Sequence, residues 1–178
     1  MKRIVSVLLA LLLLASCAGG TKRDSVGAHN DADVEFSRQM IPHHQQAIMM
    51  ADLVPGSDAS PEVAALAEQI KAAQAPEIAE MRGWLKDWDE SVMGGHGMDG
   101  MDMGEGMLTG AELRDLGHAT GSAFDRLWLT GMIAHHEGAI AMAQEVLDDG
   151  KDPSTKKLAE AIISGQQKEI TTMKGLLG

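Results

Sequence analysis

Cysteine is all but absent. The 178 residues contain one, Cys17, so no disulfide can close within the chain. Tyrosine is missing, and two phenylalanines and three tryptophans make up the aromatic content. Alanine, leucine, isoleucine and methionine must therefore fill the interior. That composition suits packed helices better than sheet, which prefers β-branched and aromatic residues. Basic residues are outnumbered 15 to 26, for a formal net charge of −11. Without a basic patch to neutralise phosphates, nucleic acid is an unsuitable partner, whereas cations are favoured. No Gly-x-Ser-x-Gly, phosphate-binding loop, dinucleotide fingerprint or Cys-x-x-Cys occurs, which leaves no serine or cysteine nucleophile and no nucleotide cradle.

Long apolar runs are lacking too. A bilayer span needs about 20 apolar residues, and Ile4–Leu14 supplies 11. Preceded by Lys2 and Arg3, this run reads as an export signal. It ends in Leu14-Ala15-Ser16-Cys17, which resembles the bacterial lipobox. Residues 1–16 are thus expected to be a cleaved lipoprotein signal peptide, with Cys17 carrying lipid. The mature protein would be anchored to the outer face of a bacterial membrane, in the periplasm or at the cell surface. Cleavage removes two cations and no acid, moving the net charge from −11 to −13. Residues 17–30 read as a flexible tether, and 31–178 as one domain.

What the chain has in abundance is a repeat. At an offset of 92 residues, 21 of the 53 positions from Asp33 to Leu85 match their partners from Asp125 to Leu177. The best-preserved stretch is Met40-Ile41-Pro42-His43-His44-Gln45-Gln46-Ala47-Ile48-Met49-Met50-Ala51. Its copy is Met132-Ile133-Ala134-His135-His136-Glu137-Gly138-Ala139-Ile140-Ala141-Met142-Ala143. Apolar residues at helical spacing predict four long helices, over about 31–54, 60–88, 121–147 and 152–177. Ser60-Pro61 and Asp152-Pro153 each supply an N-cap followed by proline at the first helical position. The loops within each repeat are short, so each copy should form an antiparallel hairpin. Two hairpins make an all-α four-helix bundle. Pro42 and Pro76 fall inside helices and are expected to kink them. Thr109-x-x-Glu112 resembles a capping box and predicts a short extra helix.

Each His-His pair shares a helical face with thioethers: Met40, His43, His44 and Met50 in the first copy, Met132, His135, His136 and Met142 in the second. The second helix of each copy adds Gln74, Glu77 and Met81, or Gln166, Glu169 and Met173, to its inner stripe. A carboxylate on an apolar face is costly unless paired or ligated. Glu77 and Glu169 are therefore expected either to bind metal or, by preference, to hold a histidine ring in one tautomer. Di-iron bundles place Glu-x-x-His on two helices, and here the corresponding spacing is Met-x-x-His. A soft donor in place of a hard one shifts preference from iron toward Cu(I) or Ag(I). Zinc would leave the methionines unexplained. A segment at about 90–110 joins the copies, and within it Met93, His96, Met98, Met101, Met103 and Met107 stand among glycines. Its composition does not allow a packed core, so these side chains read as auxiliary, mobile copper ligands.

The two segments Phe36-x-x-x-Met40-Ile41-x-His43-His44-x-x-Ala47-Ile48-x-Met50-Ala51 and Trp128-x-x-x-Met132-Ile133-x-His135-His136-Glu137-Gly138-Ala139-Ile140-x-Met142-Ala143 resemble the signature segments of the exported family known as domain of unknown function 305. The resemblance implies a ferritin-like four-helix bundle and periplasmic copper binding tied to resistance. It also implies a ligand role for Met40, His43, His44, Met132, His135 and His136. The expected function is sequestration of Cu(I) or its hand-over to a delivery partner protein. Two alternatives are a ferritin-like metal-dependent oxidase and a metal-free helical interaction module.

Overall fold

The structure is a computed structural model and describes residues 28–92 and 104–178. Cys17 and five linker residues, Met93, His96, Met98, Met101 and Met103, lie outside the described residues. Among the described residues five helices follow in order: α1 (Asp31–Asp52), α2 (Pro61–Asp87), α3 (Gly110–His118), α4 (Gly121–Asp149) and α5 (Pro153–Leu177). Among the described residues none is long and apolar enough to cross a membrane.

All but α4 begin at a residue whose side chain caps the first turn. Asn30 and Asp33 form a reciprocal capping box at α1, and Thr109 and Glu112 do the same at α3. Ser60 accepts from the Val63 amide at α2, and Asp152 accepts from Ser154 and Thr155 at α5. Each is followed by proline in the first turn, where a missing N–H costs nothing. Both α1 and α2 continue through Pro42 and Pro76 as single helices.

α1 pairs with α2 and α4 with α5, and the two hairpins meet chiefly along α1 and α4. These central helices run antiparallel. At one end the Asn30 side chain donates to the Asp149 carbonyl at 2.8 Å; at the other, Trp128 Nε1 donates to the Met50 carbonyl at 3.0 Å. Trp128 is fully buried in the core and reaches across to α1.

The repeat is visible as an approximate two-fold. Buried Asp33 accepts from the Lys151 and Asp152 amides at 2.9 and 3.1 Å, so it ties down the α4–α5 turn. Its twin Asp125 accepts from the Ser60 amide at 3.1 Å and ties down the α1–α2 turn. Each hairpin thus fastens the bend of the other.

Apolar burial is split into two clusters. One contains Met50, Ile70, Trp128, Met132, Ile170 and Met173; the other contains Met40, Ile78, Met81, Met142 and Ile162. The two-fold exchanges them. Between them on every long helix stands a buried polar residue: His43 and His44, Gln74, His135 and His136, and Gln166. A polar layer therefore crosses the middle of the bundle.

Candidate metal centre

All four histidines of the repeated pairs are fully buried. Their positions follow from helix geometry: adjacent residues point about 100° apart, so one imidazole of each pair faces the partner hairpin and the other faces its own second helix. His43 and His135 meet across the two-fold with ring centroids 3.7 Å apart and planes tilted by 39°. His44 turns to α2, where its Nε2 lies 2.7 Å from Glu77 Oε2. His136 turns to α5, where its Nε2 lies 2.8 Å from Glu169 Oε2.

Every Nε2 has an oxygen partner. His135 Nε2 donates to the His43 carbonyl at 2.9 Å, and His43 Nε2 donates to the Glu105 carbonyl at 3.3 Å. A carbonyl can only accept, so in His43 and His135 the proton sits on Nε2. Donation to the carboxylates of Glu77 and Glu169 sets the same tautomer in the other two rings. With one proton per ring, Nδ1 carries a bare lone pair. All four Nδ1 atoms are buried with no hydrogen-bond partner among the described residues. The side-chain amides of Gln74 and Gln166 are also buried and unpartnered, at both oxygen and nitrogen. A buried polar atom without a partner costs roughly 1–3 kcal/mol, and here eight share one layer. The sequence put both glutamines on the inner stripe but assigned them no role. Their twin positions, 74 and 166, were the available signal.

Burial, then repulsion from His44, pushes the His43 imidazole down to about 3, against a small opposing effect of the Glu105 contact. Burial and the neighbouring imidazoles push His135 well below its ordinary value too. Because the folded values lie below the unfolded one, protonation favours the unfolded chain. The stabilisation from keeping these rings neutral is complete above about pH 6.5 and is lost as pH falls toward 3. The metal-free protein is therefore expected to lose stability through that window, at up to about 1.4 kcal/mol per pH unit for each group. Urea melts at about pH 7 and about pH 4.5 check this, and His43→Leu should flatten the slope.

The structure brings Met40, Met81 and Met142 into the cluster on one side of the imidazole layer, and Met50, Met132 and Met173 into the cluster on the other. All six are buried. Among the described residues no three His, Cys, Asp or Glu side chains group as a metal-holding set. A metal here would need sulfur or amide donors beside the imidazoles.

The end of the linker is not the loose segment its glycines suggest. Met107 N donates to the Gly104 carbonyl at 3.0 Å, making a turn that lies across α4. Gln46 grips the next residue at both backbone groups: its Nε2 donates to the Leu108 carbonyl at 2.9 Å, and its Oε1 accepts from the Leu108 amide at 2.7 Å. Leu108 is buried. This strap, residues 104–108, fits only because position 138 is glycine. A Cβ there would overlap the Glu105 carbonyl oxygen. Gly106 has φ +82°, and a Cβ on it would overlap the Ala134 carbonyl. Gln46 and Gly138 occupy equivalent places in the two repeats. The two-fold is broken where the strap docks: one copy holds it and the other makes room.

Comparison with known proteins places this arrangement. The family model "domain of unknown function (DUF305)" matches residues 33–177. A DUF305 protein of Streptomyces coelicolor is 32% identical, with a TM-score of 0.75 over 82% of this chain and 91% of that one. CopM in its Cu(II)-bound form is 35% identical, with a TM-score of 0.69 over 81% and 94% of the two chains. CopM structures bound to Cu(I) and to silver are also similar. Over 53 residues the chain is 45% identical to uncharacterized protein L153 of Acanthamoeba polyphaga mimivirus, covering 35% of that relative's length. With the family model spanning the whole bundle and the solved relatives sharing its fold, the chain belongs to the DUF305 family.

Proposed function

We propose that this protein is a copper-binding lipoprotein that works outside the cytoplasm, sequestering Cu(I) or handing it on. The observation that carries the reading is the set of four buried imidazoles, each with Nε2–H directed at an oxygen and Nδ1 left bare. Metal-ligating histidines are held in this way: the second nitrogen donates to a carboxylate or carbonyl, which fixes the ring and raises its basicity. Glu77 and Glu169 then act as positioning residues for His44 and His136 rather than as ligands. Sulfur from Met40, Met50, Met81, Met132, Met142 and Met173 flanks the layer, and imidazole with thioether is a donor set that selects Cu(I) and Ag(I) over iron. The copper- and silver-bound forms of CopM support the same reading.

The location rests on the leader: Lys2 and Arg3, the apolar run and Cys17 would place the bundle on a lipid anchor at the outer face of a membrane. The linker donors Met93, His96, Met98, Met101, Met103 and Met107 would collect copper for the bundle, and a delivery partner protein would supply or receive it.

Metal-free protein is expected to withdraw at least one Cu(I) per chain from a coloured cuprous chelator, under anaerobic conditions at neutral pH. If the chelator keeps all of its copper, the reading is wrong.

A further inference from the structure

His43 differs from the other three histidines. Their Nε2 contacts are 2.7, 2.8 and 2.9 Å long, whereas its own, to the strap carbonyl of Glu105, is 3.3 Å. The ring also faces two ways. Nδ1 is buried and unpartnered, and the Nε2–Cδ2 edge lies at the strap. On that outer edge lies a sulfur. Met107 Sδ and His43 Cδ2 are 3.7 and 3.8 Å from one common point, the place a Gly104 side chain would fill. Met107 is half-buried, unlike the six buried methionines of the bundle. Nor is its position a loose loop's accident. The Gly138 notch, the left-handed backbone at Gly106 and the two Gln46 bonds all fix the turn that carries it.

We infer that His43 Nε2 and Met107 Sδ form a separate outer site for a soft monovalent ion, Cu(I) or Ag(I), through which metal enters the imidazole layer. The inference rests on the copper reading above and names its point of entry. A thioether has three rotatable bonds, so Met107 can close on the ring without the strap undocking. One imidazole and one thioether match the ion's softness. Binding at Nε2 displaces the Glu105 carbonyl and requires the other neutral tautomer, with the proton on Nδ1. When the ion passes to Nδ1, the proton returns to Nε2 and the Glu105 bond re-forms. The ring keeps one proton throughout and no electron moves. Gly104 itself places no side chain at the point between the sulfur and the ring.

The test uses full-length protein carrying ¹³C-methyl methionine, titrated with less than one equivalent of Ag(I). The Met107 methyl is expected to shift before those of the six buried methionines. In Met107→Leu, Cu(I) loading from a chelator should slow by about tenfold or more while the final metal count of the bundle is retained. Met49→Leu removes an exposed thioether from α1, the helix that carries His43, and should load at the native rate. Buried methyls shifting first, native loading in Met107→Leu, or equal slowing in Met49→Leu would each overturn the entry site. If no methionine methyl moves at all, the copper reading falls and takes this site with it.

Discussion

Leucine in place of His135 is expected to remove tight Cu(I) binding from a bundle that stays folded. His135 is fully buried, lies against the tilted His43 ring and makes one hydrogen bond, to the His43 carbonyl. Leucine is similar in volume, so it leaves no large cavity. It also removes a buried Nδ1 that has no partner, which offsets the lost hydrogen bond. The metal-free variant should therefore unfold within about 1 kcal/mol of the native protein. Metal affinity should drop further than the 10–100-fold that loss of an outer-shell partner costs. Chelator competition and urea melts on one preparation separate the two effects. A variant that binds copper normally but has lost several kcal/mol of stability would show that the imidazole serves packing alone.

Alanine at position 138 is expected to destabilise the protein, although alanine is the better helix former. In an open helical position, glycine to alanine stabilises by about 0.5–1 kcal/mol. Gly165 in α5 is such a position, since a Cβ there meets nothing within 4 Å. At Gly138 the new methyl would overlap the Glu105 carbonyl, so the strap has to leave. Its departure would expose Leu108, worth about 1.5–3 kcal/mol when buried, and would break both Gln46 bonds, about 1 kcal/mol each. The helix gain is smaller than this loss. Gly138→Ala should lose about 2 kcal/mol or more and become open to proteolysis near residue 105, while Gly165→Ala should gain slightly. Matching melts for the two variants would mean that the strap contributes no stability.

Much of this architecture could be read from the chain. The 92-residue offset, the Ser60-Pro61 and Asp152-Pro153 starts and the spacing of apolar residues suffice for two hairpins, because each is a local signal. The histidine pairs and the thioethers beside them stood out for the same reason, as did the carboxylates Glu77 and Glu169 on apolar stripes. What escaped notice depends on contacts between distant segments. Asp33 and Asp125 were visible as a matched pair, but their partners lie 118 and 65 residues away. The strap was hidden because Gln46 and Gly138 differ, and a mismatch within a repeat looks like drift. The available clue was Gly138 itself, inside a strongly helical segment, where glycine costs about 1 kcal/mol against alanine unless packing calls for it.

Because Gln46 grips the strap and Gly138 admits it, the two halves of this molecule have lost their interchangeability. A rearranged gene in which residues 125–177 precede residues 33–85 would encode the same helices, the same cross-fastened bends and the same four imidazoles. Its connecting segment, however, would find the clip and the notch on the wrong sides. Duplication made the halves alike, and a passing loop gave the chain a fixed order.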